Sequence, residues 1–216
     1  GTLQQTYDQI LADLEEAEKF VTRKGVSQSS SITTDVITAF KARVALGMKD
    51  YDTARIAAEA VIATKKYTLV SNATTYAEGW INDNLSETIF QLAMINSTEV
   101  GNAYSYFLYN SSGIEGRDNP QYIPEDWVLD LYDKNKDIRY AAYFDERTVT
   151  TPVVGKMTLL IKYPGNPKLY TKVTNYCNMP KVFRASEMYL IAAEAEYLSP
   201  NGSIAKANSY LNDLRK

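Results

Sequence analysis

The chain has no histidine and a single cysteine, Cys177. These two shortages exclude Ser-His-Asp and Cys-His catalysis, zinc-finger sites and any disulfide closed within the chain. Positive charge is not in excess. The formal net charge is −3 over 216 residues, and no basic, aromatic-interleaved stripe is present, so a nucleic-acid surface is not expected. No apolar run nears the ~20 residues that a membrane-spanning helix needs. The opening Gly1-Thr2-Leu3 lacks the basic-then-apolar pattern of a signal peptide. What the chain does have is hydrophobic content of 45%, enough to fill a core, and 17 tyrosines. Core and strand positions absorb some of those rings, and the remainder ask for another role.

The most ordered stretch is 33–67, which reads as two antiparallel helices around the turn Gly47-Met48-Lys49-Asp50. In the first, Ile37, Phe40 and Val44 form one apolar row, and Ala39, Ala42, Ala45 and Leu46 the next. In the second, Ala54, Ala57, Ala58, Val61 and Ile62 fall at i, i+3, i+4, i+7 and i+8. Alanine on facing sides lets the axes approach closely, which predicts a packed pair. The pattern recurs 153 residues later without a gap: Ile37 becomes Leu190, Ala39 Ala192, Ala42 Ala195, Ala54 Ala207, Ala58 Leu211 and Val61 Leu214. The second turn, residues 199–203, carries Pro200, Gly202 and a candidate cap in Ser203. Small residues at this spacing match the tetratricopeptide (TPR) pattern, without its full aromatic signature.

Before the first pair, residues 6–21 read as an amphipathic helix. Tyr7, Ile10, Leu11, Leu14, Ala17, Phe20 and Val21 share its face, Thr6 caps its start, and it is expected to lie on the pair. After Tyr67 the helical period disappears for over a hundred residues. Residues 72–84 are polar around Tyr76 and Trp80. Residues 87–95 read as a strand, 104–109 as an aromatic extended run and 110–121 as an exposed loop. Pro124 fits the first turn of a helix reaching about Asp133, and Asp137 a cap for a short helix through Ala142. Residues 157–163 and 168–173 are strand candidates around a hairpin-like Pro164-Gly165-Asn166-Pro167. The expected fold is mainly α: a TPR-like helical hairpin scaffold (1–70 and 181–216) with a long loop-rich insertion (71–180) containing short β-strands, together a single domain. Loops on a rigid scaffold are where binding surfaces are usually built.

Candidate chemistry is thin. Asp133-Lys134-Asn135-Lys136-Asp137 opens like a calcium loop, but Ile138 stands where glycine is needed and Phe144 where a bidentate glutamate is needed. A solvated turn is the expected reading, with no metal site and no cofactor. Glu125, Asp126 and Asp130 near Trp127 are the nearest approach to a glycosidase carboxylate pair, yet acidic residues in a first helical turn also suit the macrodipole. No catalytic residue is assigned. Cys177 reads as a packed thiol. The aromatics carry more. A sugar ring offers C–H groups on its face and hydroxyls at its edge, which flat rings and Asn, Asp or Arg side chains match. Tyr104, Tyr109, Asn110, Arg117, Asp118, Tyr122 and Trp127 mix these types, so the ligand surface is expected within 101–127. Trp80 is expected in the core.

Four stretches resemble the SusD/RagB family, the surface lipoproteins of Bacteroidetes. They are Ala39 to Leu69 with its Lys49-Asp50-Tyr51 turn; Trp80 followed by residues 86–92; Pro124 to Tyr132 followed by Asp137-Ile138-Arg139; and residues 183–195, Phe183-Arg184-Ala185-Ser186-Glu187 onward. The resemblance implies a TPR-based scaffold with an irregular ligand-binding side. It also implies non-catalytic capture of an oligosaccharide or polysaccharide at the cell outer membrane, and delivery to a SusC-like TonB-dependent transporter. Some family members bind peptides. The family anchors through an N-terminal lipidated cysteine absent from this sequence, and a complete member is roughly double this length, so the chain is expected to be a portion of a longer protein. The alternatives are a peptide- or protein-binding TPR module and, less favoured, a glycoside hydrolase.

Overall fold

The computed structural model describes residues 1–25, 29–94, 108, 118–150, 154–169 and 177–216. They divide into two compact units: residues 1–69, 86–92 and 181–216, and residues 70–85 and 93–180.

In the first unit, α1 (Leu3–Phe20) begins a turn earlier than Thr6 would dictate, because Thr2 and Gln5 form a capping box. The Gln5 amide donates to Thr2 Oγ1 at 3.2 Å and the Thr2 amide to Gln5 Oε1 at 2.8 Å. The helix lies on α2 (Thr34–Met48), with Lys41 paired to Glu18 at 2.8 Å. Of its predicted apolar face only Leu14 is fully buried, and Phe20 is exposed.

Thr33 caps α2 and Asp50 caps α3 (Tyr51–Ala63); Lys49, at φ 64°, closes the turn between them. The second pair is α7 (Ala185–Leu198) and α8 (Ile204–Leu214), capped by Ser203. Helix α3 packs on α2 and on α7, and α8 packs on α7, so the two hairpins stack in series. Ala39, Ala42, Ala54, Ala58, Ala192 and Ala195 are all completely inaccessible along this seam. A methyl group is the largest side chain that lets the axes approach so closely, and removing these surfaces from water is the main stabilising effect. The repeat is imperfect at its rim, where Ile37 is 3% exposed and its counterpart Leu190 52%.

Polar groups fix the register between the hairpins. Asp52 accepts from Ser199 Oγ and Asn201 Nδ2, both at 2.7 Å, and from Arg55 Nε at 3.0 Å. Lys206 bridges Glu59 and the buried Glu196 at 3.1 Å each, and the Tyr210 hydroxyl donates to Glu59 at 2.8 Å. Arg43 grips Glu187 bidentately at 2.6 and 2.7 Å, its guanidinium 3.9 Å above the Phe183 ring. The buried Asp35 accepts from Lys66 Nζ and the Tyr67 hydroxyl, both at 2.9 Å; burial first, then this carboxylate, push the Tyr67 phenol above its ordinary range. Strands β1 (Thr88–Gln91) and β4 (Lys181–Arg184) form an irregular antiparallel pair beside these helices.

The second unit departs further from expectation. Residues read as polar irregular chain form α4 (Ala73–Ile81), capped by Asn72, with Tyr76 and Trp80 turned inward. The helix after Pro124 is a single turn, α5 (Asp126–Leu129), followed by turns rather than a run to Asp133. Asp137 caps α6 (Ile138–Tyr143) as expected, with Arg139 closing a salt bridge on it at 2.6 Å. Asp133 Oδ1 accepts from the amides of Asn135 and Lys136 at 3.0 and 3.2 Å, so it organises a turn.

The predicted hairpin around Pro164–Pro167 is wrong. Strand β3 (Gly155–Leu160) pairs instead with the unpredicted β2 (Phe144–Val149), in register from Phe144↔Leu160 to Val149↔Gly155. The prolines offer no amide to a ladder. Gly165 sits at φ 94°, the Asn166 amide donates to the Cys177 carbonyl at 2.7 Å, and Lys168 and Leu169 lie in a turn. The rest of the second strand candidate, residues 170–173, lies outside the described residues. No helix among those described is long and apolar enough to cross a membrane.

Two outcomes are expected. The hydrogen bonds from Ser199, then Asn201 and Arg55, hold the Asp52 carboxyl below its ordinary value. The folded state therefore favours the ionised form. That contribution is complete above about pH 4 and is lost as pH falls through the lowered folded value. Thermal melts should show stability declining in this acid range, with a shallower decline in Asp52→Asn. Separately, a Cβ on Gly202 would lie 2.1 Å from the Glu196 carbonyl oxygen. Gly202→Ala should thus destabilise the first unit by about 1–3 kcal/mol, read as a lower denaturation midpoint.

Candidate ligand-binding site

The candidate site is an open groove of about 400 Å³ on the second unit, a volume within the range of small-ligand clefts. It is lined by Leu108, Tyr122, Ile123, Pro124, Val128 of α5, Tyr132, Tyr143, Phe144, Leu160 and Lys162. The groove exists because the turn at 130–132 brings Tyr132 onto the start of β2. Its ring meets Phe144 edge-on, centroids 5.2 Å apart. Edge-to-face contact suits the positive rim and negative face of aromatic rings.

Beneath it lies an aromatic core. Trp80 is T-shaped to Tyr76, Tyr143 and Tyr163 at 6.3, 5.8 and 5.2 Å. The hydroxyls of Tyr76 and Tyr143 lie 2.6 Å apart. Trp80 is therefore a core residue, as the sequence indicated. The Lys162 ammonium sits 4.7 Å from the ring centroids of both Trp80 and Tyr143.

A buried polar hub holds this core in place. Asn178, 1% exposed, donates to the carbonyls of Trp80 and Ile81 at 2.9 and 3.2 Å, and its oxygen accepts the Gly165 amide at 2.7 Å. Asp83 accepts from Asn166 Nδ2 at 3.0 Å and from the Met179 amide at 3.1 Å. Cys177 is buried beside it. Burial, then the Asp83 charge, push its thiol up, which opposes thiolate reactivity.

The sequence-derived site residues are dispersed. Tyr122 lines the groove and is 66% exposed. Trp127, on α5, is 67% exposed and does not line it. Asp118 is engaged elsewhere: Arg147 Nη1 donates to it at 3.3 Å, and its backbone bridges Val149. Tyr104, Tyr109, Asn110 and Arg117 lie outside the described residues. The sequence reading missed Tyr132, Tyr143, Phe144 and Lys162 because they are far apart in sequence and only the fold brings them together. The repeated aromatics at 140, 143, 144 and 163 were the available signal. Glu125, Asp126 and Asp130 are exposed and outside the lining.

Asn178→Ala should orphan the Gly165 amide and two carbonyls. Buried groups left unpaired cost about 1–3 kcal/mol each, so near-ultraviolet circular dichroism should show the tryptophan environment of the second unit melting earlier than in the parent protein.

No family model matches the chain. Over 86 residues, 40% of the chain, it is 31% identical to a SusD-like protein of Formosa agariphila, of which the match spans 17%. A SusD superfamily protein of Bacteroides thetaiotaomicron superposes with a TM-score of 0.74 at 27% identity, covering 99% of this chain and 47% of the other. A SusD-like carbohydrate binding protein of Bacteroides vulgatus gives 0.69 at 19% identity, covering 100% and 44%. Surface glycan-binding protein A of Bacteroides thetaiotaomicron, in complex with laminarihexaose, gives 0.72 at 19%, covering 98% and 53%. The last two likenesses show the fold alone. The chain spans about half the length of these solved relatives. With its stacked alanine hairpins interrupted by a ring-rich unit, the chain is similar over nearly its whole length to a solved SusD superfamily protein.

Proposed function

We propose that this chain is part of a non-catalytic cell-surface protein that binds glycans and delivers them to a SusC-like TonB-dependent transporter in the outer membrane. In this reading residues 1–70 and 181–216 are the scaffold and 71–180 the binding portion of one domain. The observation that carries it is the exposed Tyr122 in a groove lined by tyrosine, phenylalanine and proline. Such a surface covers the C–H face of a sugar while phenol hydroxyls meet its edge. Names of structural relatives support the same class: one is a carbohydrate binding protein, another a glycan-binding protein holding laminarihexaose. Tyr104, Tyr109, Asn110 and Arg117 join the proposed surface on sequence grounds alone, and Trp127 through its exposure beside Val128.

Affinity electrophoresis of the full-length protein in gels containing soluble polysaccharides tests the reading. Retardation is expected in at least one gel. Tyr122→Ala and Trp127→Ala should each weaken the interaction by about two- to tenfold, the worth of one ring contact, with unchanged melting temperature. Retardation in none would refute glycan binding. Binding of a peptide that both variants leave intact would favour a TPR-type groove on the helices.

A further inference from the structure

We infer that the groove receives an aromatic acyl group carried on the glycan through an ester link, so that the ligand class is an aroylated glycan. This deepens the glycan reading and rests on it. Six of the ten described lining residues have hydrocarbon side chains: Leu108, Ile123, Pro124, Val128, Phe144 and Leu160. Ile123 is exposed, and Leu108, Pro124, Val128 and Leu160 are half-buried, so their surfaces are only partly covered by the protein. Two of the remaining four are already engaged. The hydroxyl of the buried Tyr143 lies 2.6 Å from that of Tyr76, and Lys162 holds its ammonium over Trp80 and Tyr143 and has a further partner as well.

A bare sugar suits such a lining poorly. Branched aliphatic side chains present methyl groups at many angles and no flat face on which a pyranose ring can stack. A sugar hydroxyl moved from water in among them loses its hydrogen bonds. A hydrocarbon group on the ligand gains instead, because it and the lining remove each other's apolar surface from water. Size and shape point to an aryl rather than a small acyl group. The groove holds about 400 Å³, far more than the few atoms of an acetyl group fill. Within the lining Tyr132 and Phe144 already meet edge to face, centroids 5.2 Å apart, an arrangement that a third ring can join. The sugar itself is left to the rings in solvent: Tyr122 at the groove, and Trp127 outside the lining.

The test measures affinities of the full-length protein by titration calorimetry. The probes are a feruloylated arabino-oligosaccharide, an acetylated xylo-oligosaccharide, the alkali-de-esterified form of each, and methyl ferulate. The feruloylated probe is expected to bind about tenfold or more tightly than its de-esterified form, and methyl ferulate to compete with it. Acetylation should add less than about threefold, in keeping with its smaller apolar surface. Ile123→Ser combined with Val128→Thr should cut the feruloyl advantage about fivefold or more, while moving affinity for the de-esterified form by less than about twofold. Ile123→Val, which keeps the hydrocarbon, should retain the advantage and guards against a variant that merely misfolds. Trp127→Ala should weaken the feruloylated and de-esterified forms alike. Equal affinity for those two forms overturns the inference and leaves the glycan reading standing. So does an equal gain from acetylation, or a feruloyl preference that survives in the double variant. Failure of every probe to bind, methyl ferulate included, also overturns the inference, and the glycan reading is then decided separately by retardation in the polysaccharide gels.

Discussion

The first unit depends on the contact of alanine against alanine. With Ala39, Ala42, Ala54, Ala58, Ala192 and Ala195 fully enclosed, neighbouring helices approach backbone to backbone, and no larger side chain fits without parting them. Such a seam is smooth along its length and does not by itself fix register. The polar groups do: Asp52 receives the turn between α7 and α8, and Lys206 ties Glu59 to Glu196. Deleting any one of these ends leaves a charge on or near a buried surface, which makes the junction sensitive to pH and intolerant of misalignment.

The second unit uses a different principle. It has few regular elements and a core made of rings. Trp80, Tyr76, Tyr143 and Phe144 meet edge to face, and the hub of Asp83, Asn166 and Asn178 satisfies the backbone where the chain turns without a ladder. Irregular chain can be buried only if its amides and carbonyls find partners, and side-chain amides supply them here. The groove is a consequence: Tyr132 packs on Phe144, and Tyr122 stays outside at its rim.

The hairpins were legible in the sequence because helical packing writes itself at short range. Ala54, Ala57, Ala58 and Val61 repeat at 3.6-residue spacing, and the same signal returns 153 residues on. Caps were legible at Asp137 and Ser203 for the same reason. The strands of the second unit were not. Pairing of β2 with β3 depends on which distant residue each amide meets, and the prolines at 164 and 167 imitated hairpin punctuation while serving a buried turn. Helix α4 was hidden by its threonines and its glycine. Of the candidate site, Tyr122 and Trp127 could be singled out as rings among polar residues. Asp118 looked equally available, and its commitment to Arg147 across 29 positions has no local signature. Lys162 carries no motif, and only the surrounding rings reveal it.

The central claim is that a glycan is held on the ring-walled groove of the second unit and not along the alanine-seamed helices. Hydrogen–deuterium exchange of the full-length protein, with and without a polysaccharide that it retains, addresses this most directly. Added glycan should slow exchange at residues 120–132 and 143–163 and leave residues 34–63 and 185–214 unchanged. Protection confined to those helices, with the groove segments unaltered, would contradict it.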